Sequence, residues 1–468
     1  MTDDVNETTT LLPPRATPLP KLQLAIIMLV QISEPLLSSS IFPYINELVS
    51  RLDITGGDKR KVGYYAGLES LFFITEAMTV LQWSRISDRK GRKPILLIGL
   101  FGSAVSMICF GLSRTFWALV ISRCITGLLN GNTGVMKSAL GDLTDSSNRA
   151  NAFKFVPLIW ATGASLGPFI GGTLSTPQDR FPALFPEKFW AEFPYFLPCM
   201  VVSSFVLVSF TAVLLFFKET APTKIAMKGH DRFLKVRDPE HASDSKARCG
   251  PLPLKALLGL QPVIISVSNY VALAFLNIVI SALLPLFLAM PIEIGGLGLP
   301  PKTIGLILAT YGAITGLFQV SFFSLLVRRF GERKIFLAGL AMSLPIFALF
   351  PAISLTAKAS DISLTVWILV GCVLALGAMM DSSFGCIFMY ITASAPSSSR
   401  GTVNGISQTT ASISRAIGPA LSTSLFSFSV EHNIFGGYAV YAFFFVLSAF
   451  ALLLGRRLPE QVWEEDDD

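Results

Sequence analysis

A chain of 468 residues that is 52% hydrophobic, only 15% charged and +0.60 in mean hydropathy lacks the polar surface to cover several soluble globules. A bilayer replaces that missing surface, since twelve spans of about 20 residues would use roughly half of the chain. The net charge of +6 then reads as membrane topology, and nucleic-acid-binding, secreted and disordered classes are excluded.

Taken in order, residues 1–21 are polar and Pro-rich, without the short apolar segment of a cleaved signal. Apolar runs predict spans 1–6 over 22–45, 62–83, 94–112, 116–136, 155–174 and 193–217. After a polar loop, spans 7–12 are predicted over 262–290, 304–327, 335–353, 364–389, 403–428 and 438–454. The expected fold is an all-α membrane protein with 12 transmembrane helices in two pseudo-symmetric six-helix halves. Its expected divisions are a tail (1–21), a first half (22–217), a linker loop (218–260), a second half (261–455) and an acidic tail (456–468).

Lys and Arg set the expected orientation. With both tails in the cytoplasm, cytoplasmic segments hold 26 of the 37 basic residues and the opposite loops hold 9. Arg123 and Arg415 lie within spans. Four basic residues at 51–61 fall on the far side without overturning the majority.

The halves repeat. Arg149 precedes Gly167-Pro168 by 18 residues, and Arg400 precedes Gly418-Pro419 by the same 18. At that offset Asn130 corresponds to Asp381 and Gly134 to Gly385. The loop Asp88-Arg89-Lys90-Gly91-Arg92-Lys93 corresponds to Arg328-Arg329-Phe330-Gly331-Glu332-Arg333. A duplicated six-helix plan is the architecture of many secondary transporters.

Cysteine and histidine remove other options. Five cysteines lie in apolar runs and Cys249 in the polar loop, without a CxxC, and the three histidines are scattered. No disulfide framework, metal site or cofactor is expected, and no nucleophile–base pair suggests an enzyme.

Four features carry the chemistry. In the loop between spans 2 and 3, Gly91 supplies backbone freedom for a tight reversal, and Asp88 can pair with Arg or cap a helix. Arg123 lies about seven residues deep in span 4, where an isolated guanidinium costs at least a few kcal/mol unless it snorkels or finds a partner. Gly163, Gly167 and Gly171 recur every four residues in span 5, with Pro168 and Gly172 beside them, and offer a smooth face for close helix packing. On that reading Gly167→Val forces the closed halves apart and harms transport more than Gly172→Ala.

The deep carboxylates are the fourth feature. Glu69 and Glu76, seven apart, share a face of span 2. Glu34 sits near the centre of span 1 beside Pro35, which marks a broken helix of the kind that lines transport sites. A reversible proton carrier needs such a buried carboxylate, so Glu34 is the first choice, with Arg123, Glu76 and Glu69 as further coupling candidates. Glu76 reads equally as a structural pair. Asp381 and Arg415 form a second-half pair, either structural or in contact with substrate.

These strings resemble the major facilitator superfamily over about residues 22–454. Asp88, Arg89, Gly91, Arg92 and Lys93 match its signature loop, which in the family locks the cytoplasmic face; its leading glycine is absent here. Arg123 and Gly127 resemble a second motif whose Arg is linked to proton transfer, with Thr126 where Gln is usual. The string from Gly163 to Gly172 resembles the antiporter motif of drug:proton exporters. The nearest likeness is to twelve-span drug:proton antiporters, including fungal and plant proteins similar to the zinc-induced facilitators. The resemblance implies alternating access, with a small-molecule substrate between the halves and protons moving the other way, in a monomer held in the lipid bilayer. Nutrient uptake on the same fold and a non-transporting receptor or scaffold are the alternatives. In the N-terminal tail, Glu7 and Leu11-Leu12 fit an acidic dileucine address read by a sorting adaptor, towards a vacuolar or lysosomal membrane. The plasma membrane is the alternative.

Overall fold

The computed structural model describes residues 20–144, 155–186, 188–220, 254–394 and 400–460. Twelve helical crossings run through them. Span 1 is Lys21–Ser39, followed by the short helix Ile45–Arg51. Span 2 is Val62–Ala66 and Leu68–Lys90, interrupted at Gly67. Spans 3 to 6 are Arg92–Gly111, Phe116–Leu129 with Asn132–Asp142, Phe155–Leu174, and Phe196–Phe216. Span 7 is Gln261–Ala289, span 8 is Pro301–Ser321 with Phe323–Phe330, and span 9 is Glu332–Ala341 with Ser343–Ser360. Leu364–Ala393, Arg400–Glu431 and Ala439–Gly455 are spans 10 to 12.

An even number of crossings puts residues 20 and 460 on one side of the bundle, here called the tail side. The dileucine at Leu11-Leu12 lies outside the described residues. So do most of the linker and the acidic tail.

Exposure runs opposite to that of a soluble protein. On span 6, Val208 and Leu215 are 60% and 64% exposed, whereas Ser203 and Ser209 are 1% and 0% exposed. Apolar side chains face the lipid, while small hydroxyls turn inward and bond helix carbonyls: Ser203 donates to the Ala104 carbonyl of span 3 at 2.9 Å. Seven spans (1, 3 and 6–10) are individually long and apolar enough to cross a bilayer. Spans 5 and 12 are shorter in apolar length, and spans 2, 4 and 11 are broken or polar. Of these, span 2 carries the buried Glu69 and Glu76, and span 4 the buried Arg123.

The halves meet along two helix pairs, span 5 with span 8 and span 2 with span 11. Among the described residues, three hydrogen bonds cross between the halves. Tyr64 donates to Glu431 at 2.9 Å, the Ala420 backbone N–H to the Ser70 hydroxyl at 2.9 Å, and Ser165 to the Ala309 carbonyl at 2.7 Å. The Ser70 contact satisfies an N–H directly after Pro419, inside span 11. A Cβ on Gly67 would meet Ala420 Cα at 2.8 Å, and one on Gly172 would meet Gly305 Cα at 2.7 Å. These close approaches sit towards the side away from the tails. The bundle is therefore sealed on the far side.

Candidate functional site

Arg123 is 1% exposed and finds its partner on span 2, where its Nη2 donates to Glu69 Oε1 at 2.6 Å. It also lies 5.1 Å from the centroid of the Phe110 ring. A guanidinium at this depth is always charged, so the pair resolves the cost in place of snorkelling. The pairing is incomplete: Glu69 Oε2 and Arg123 Nε are buried without hydrogen-bond partners. One turn beyond Arg123, Gly127 lets the helices touch, because a Cβ there would collide with Thr75 Oγ1 and the Phe72 carbonyl. Two turns further in, Asn130 donates to Glu76 Oε1 at 2.9 Å, and Glu76 is buried. The sequence signal for these contacts is the seven-residue spacing on both helices, 69 to 76 and 123 to 130.

Glu34 is brought to a different place. It is half-buried beside Pro35 in span 1, where Ser33 donates to Ser209 of span 6 at 3.3 Å, and it has an interaction of its own. The structure joins Arg123 to Glu69 and not to Glu34.

The second half holds its own polar cluster. Asp381 of span 10 accepts from Asn277 of span 7 at 2.7 Å and from Tyr311 of span 8 at 2.7 Å. The expected pair with Arg415 does not form; the carboxylate instead takes these neutral donors from spans 7 and 8. Arg415 lies half-buried on span 11. A half-buried carboxylate at mid-span depth is tolerated where it meets a water-filled cavity, which points Asp381 to the space between the halves. Towards the tail side, the rings of Tyr270 and Phe388 follow, 5.2 Å apart.

The span 5 glycines divide their contacts, which corrects the sequence expectation. A Cβ on Gly163 would meet Pro35 Cγ at 2.5 Å, and those on Gly167 and Gly171 would collide with Ser39 and Ser40. That face packs on span 1 of the same half. Gly172 instead faces Pro301 and Gly305 of span 8, so it, and not Gly167, lies at the seam between the halves. Pro168 sits within the helix and its carbonyl faces Gly305.

On the tail side, Gly91 adopts φ +104° and turns the chain from span 2 into span 3. Arg92 is buried and bonds Asp142 at 3.2 Å and Ser87 at 3.1 Å, while Arg89 and Lys90 are exposed. The side chain of Asp88 lies outside the described residues. Sequence reasoning missed Glu219: its carboxylate accepts from the backbone N–H of Arg92 at 2.7 Å and of Lys93 at 3.2 Å. An anion on the first turn of span 3 suits the helix dipole, and Lys93 Nζ returns the contact by donating to the Phe217 carbonyl at 2.8 Å. The only hint in the sequence is an acidic residue directly after span 6.

Among the described residues no group of His, Cys, Asp and Glu is placed to hold a metal ion. The arrangement can instead do two things: hold a polar molecule between the halves, and change the protonation of a buried carboxylate as the halves move.

Comparison with known proteins agrees with this geometry. The sequence profile described as Major Facilitator Superfamily matches residues 27–419 and 271–467. A major facilitator-type transporter of Psilocybe cyanescens is 31% identical, over 90% of this chain and 87% of the relative. A major facilitator superfamily multidrug transporter of Aspergillus fumigatus is 30% identical, over 96% and 84%. The protein Zinc Induced Facilitator 1 of Arabidopsis thaliana is 29% identical, over 88% and 85%. Among solved structures, a D-xylose-proton symporter superposes with a TM-score of 0.69 at 15% identity, covering 94% of this chain and 98% of that one. The human organic anion transporter MFSD10 gives 0.62 at 18%, covering 94% and 100%. At these identities the structures attest the fold alone.

Proposed function

We propose proton-coupled export of a small organic molecule as the work of this chain, which belongs to the Major Facilitator Superfamily and is a multi-pass secondary transporter of the membrane. The observation that carries the proposal is the buried Glu69–Arg123 pair with one carboxylate oxygen left unpartnered. A proton on Glu69 would cancel its attraction for Arg123 and loosen spans 2 and 4; its loss would restore the pair. The proton and the rocking of the halves are thereby linked. Glu34 and Glu76 stand as the other carboxylates of the pathway.

Export, not uptake, is supported by the span 5 glycine string and by relatives named as multidrug and efflux transporters. With the tail side in the cytoplasm, as the basic residues favour, the far-side seal describes a carrier open to the cytoplasm and ready to load. Asp381, with Tyr311 and Asn277, is the substrate contact of the second half. Because its two partners are neutral, a cationic group on the substrate fits beside it. Arg415 is the second contact candidate. The Asp88–Lys93 loop, anchored on Glu219, is the tail-side switch. A sorting adaptor reading Leu11 and Leu12 directs the chain to an internal membrane, and alanine at both would send it to the cell surface.

The test is flux in proteoliposomes under an imposed pH gradient, against a panel of cationic, neutral and anionic organic compounds. Substrate movement opposite to the proton gradient is the expected result. Movement in the same direction as the protons would replace export by symport.

A further inference from the structure

Beneath the far-side seal lies a cavity of about 20 Å³, walled by Asn46 and Glu69 from the first half and by Ala282, Pro285, Pro419 and Thr423 from the second. Asn46 is 2% exposed, and both its amide nitrogen and its amide oxygen lack hydrogen-bond partners; Glu69 Oε2 lacks one as well. One donor and two acceptors therefore border a space that exceeds the roughly 10–15 Å³ a single water needs. A water accepts one hydrogen bond and donates two, which matches the set. A metal cation does not match it, because the amide donor opposes it and Arg123 already holds the other Glu69 oxygen.

We propose that this cavity is a one-water site joining Asn46 to Glu69, and that Asn46 positions the water through which a proton from the far side reaches Glu69. The proposal rests on Glu69 being the proton carrier. Arg123 is the charged group in contact with Glu69, and the walls supplied by spans 7 and 11 are apolar apart from Thr423. Those walls belong to the second half, so the site is closed off only while the far-side seal holds. When spans 7 and 11 swing away, the water joins the far-side solution. A hydronium ion there gives its proton to Glu69 Oε2: one O–H bond of the hydronium breaks, one forms on the carboxylate, and a neutral water is left on Asn46. Thr423, Ser427 and Glu431 follow one another at four-residue spacing on span 11 and mark the way out. Ser427 is fully buried with its hydroxyl unpartnered, and Glu431 accepts from Tyr64.

Two measurements on the full chain test this. Infrared spectra in heavy-oxygen water identify a buried water by the shift of its O–H stretch. The wild type and Asn46→Ser should show the band; Asn46→Leu, which removes both polar atoms, and Ala282→Leu, which fills the cavity from the opposite half, should lose it. A band absent from the wild type, or retained in both leucine variants, overturns the site. In proteoliposomes with ethidium as the probe, Asn46→Leu should lower pH-gradient-driven flux by about tenfold, the scale of one lost water-mediated hydrogen bond, and leave ethidium–ethidium exchange within about twofold. Asn46→Ser should recover most of the driven flux. Unchanged driven flux, or equal loss of driven flux and exchange, would make Asn46 a packing residue and overturn the handover. Glu69→Gln separates the underlying reading: driven flux retained in that variant removes Glu69 as the carrier, whatever the water band shows.

Discussion

Glu69 and Arg123 meet at 2.6 Å across 54 residues of sequence, and the same offset of 54 joins Glu76 to Asn130 at 2.9 Å. Spans 2 and 4 cross the membrane in the same direction, so a seven-residue step along each helix returns to the same face and keeps the partners in register. Between the two pairs, Gly127 removes the side chain that would hold the helices apart. The polar ladder and the close packing are thus one feature: the first sets which faces meet, the second how near.

The pair is asymmetric in what its loss should do. Glu69→Ala leaves Arg123 charged in an apolar interior, because a guanidinium cannot shed its proton there. Arg123→Ala leaves a carboxyl that can become neutral. Glu69→Ala is therefore expected to destabilise by roughly 3–5 kcal/mol and Arg123→Ala by less, with the double variant recovering part of the loss. Thermal unfolding of the purified proteins measures the order. An equal or reversed ranking would mean that Arg123 reaches another partner.

The glycines of span 5 should separate into two phenotypes. Gly167→Val drives a branched side chain into Ser39 and Ser40 of span 1 and should lower the yield of folded protein. Gly172→Val meets Pro301 and Gly305 of span 8 and should instead hold the far side open. A cysteine at Thr423, behind the seal, would report the difference through its labelling by a membrane-impermeant reagent from the far side. Labelling should rise with Gly172→Val and stay at the wild-type level in whatever Gly167→Val protein folds.

Much of this was legible in the sequence, and the limits have physical causes. Apolar runs gave twelve spans because the bilayer demands about 20 such residues wherever the chain crosses. The Arg123 problem was visible, since an unpaired charge in a membrane is too costly to ignore. Its partner was legible only in outline: Glu69 and Glu76 lie seven residues apart along span 2, and the packing of span 2 on span 4, which brings Glu69 and not Glu34 to Arg123, is not written in the sequence. Asn46 gave no signal at all: an asparagine near a helix start reads as a cap, and its lack of partners exists only once spans 7 and 11 close over it. Glu219 was hidden for a similar reason, since its role depends on the end of span 6 reaching the start of span 3.

At the tail side, Glu219→Ala should remove the acceptor shared by the Arg92 and Lys93 N–H groups. Losses at helix N-termini run from about 0.5 to 2 kcal/mol, and this carboxylate serves two donors, so the upper part of that range is expected. Glu219→Gln keeps an acceptor without the charge and should fall between. Denaturant or thermal midpoints in a fixed detergent give the comparison. A Glu219→Ala protein as stable as the wild type would show that the first turn of span 3 is served equally well by water.

For the second half, Asp381→Asn should act on selectivity. The amide fits between Asn277 and Tyr311 but carries no charge for a cationic substrate. Flux of a monocationic compound should fall by about tenfold, the scale of one charge-assisted contact, and that of a neutral compound should change little. Tyr311→Phe, which removes one donor and keeps the carboxylate, should lower cation flux less. Parallel losses for cationic and neutral compounds would assign Asp381 to structure.

The choice of carrier among the carboxylates can be settled by isosteric amides. The sequence favours Glu34, because a broken helix beside a deep carboxylate suits a transport site. The geometry favours Glu69, because this buried carboxylate faces Arg123 and keeps its Oε2 without a hydrogen-bond partner. Glu69→Gln keeps size and polarity, cannot exchange a proton and can no longer switch its attraction for Arg123. It should abolish gradient-driven flux while substrate exchange continues, since exchange needs the halves to rock but no net proton movement. Glu34→Gln should keep most of its driven flux, and Glu76→Gln should keep its bond from Asn130 only by turning its amide oxygen inward, with a modest loss. The measurement is driven flux and exchange side by side, normalised to folded protein. If Glu34→Gln is the variant that loses driven flux and Glu69→Gln retains it, the carrier lies in span 1, and the Glu69–Arg123 pair is a structural brace.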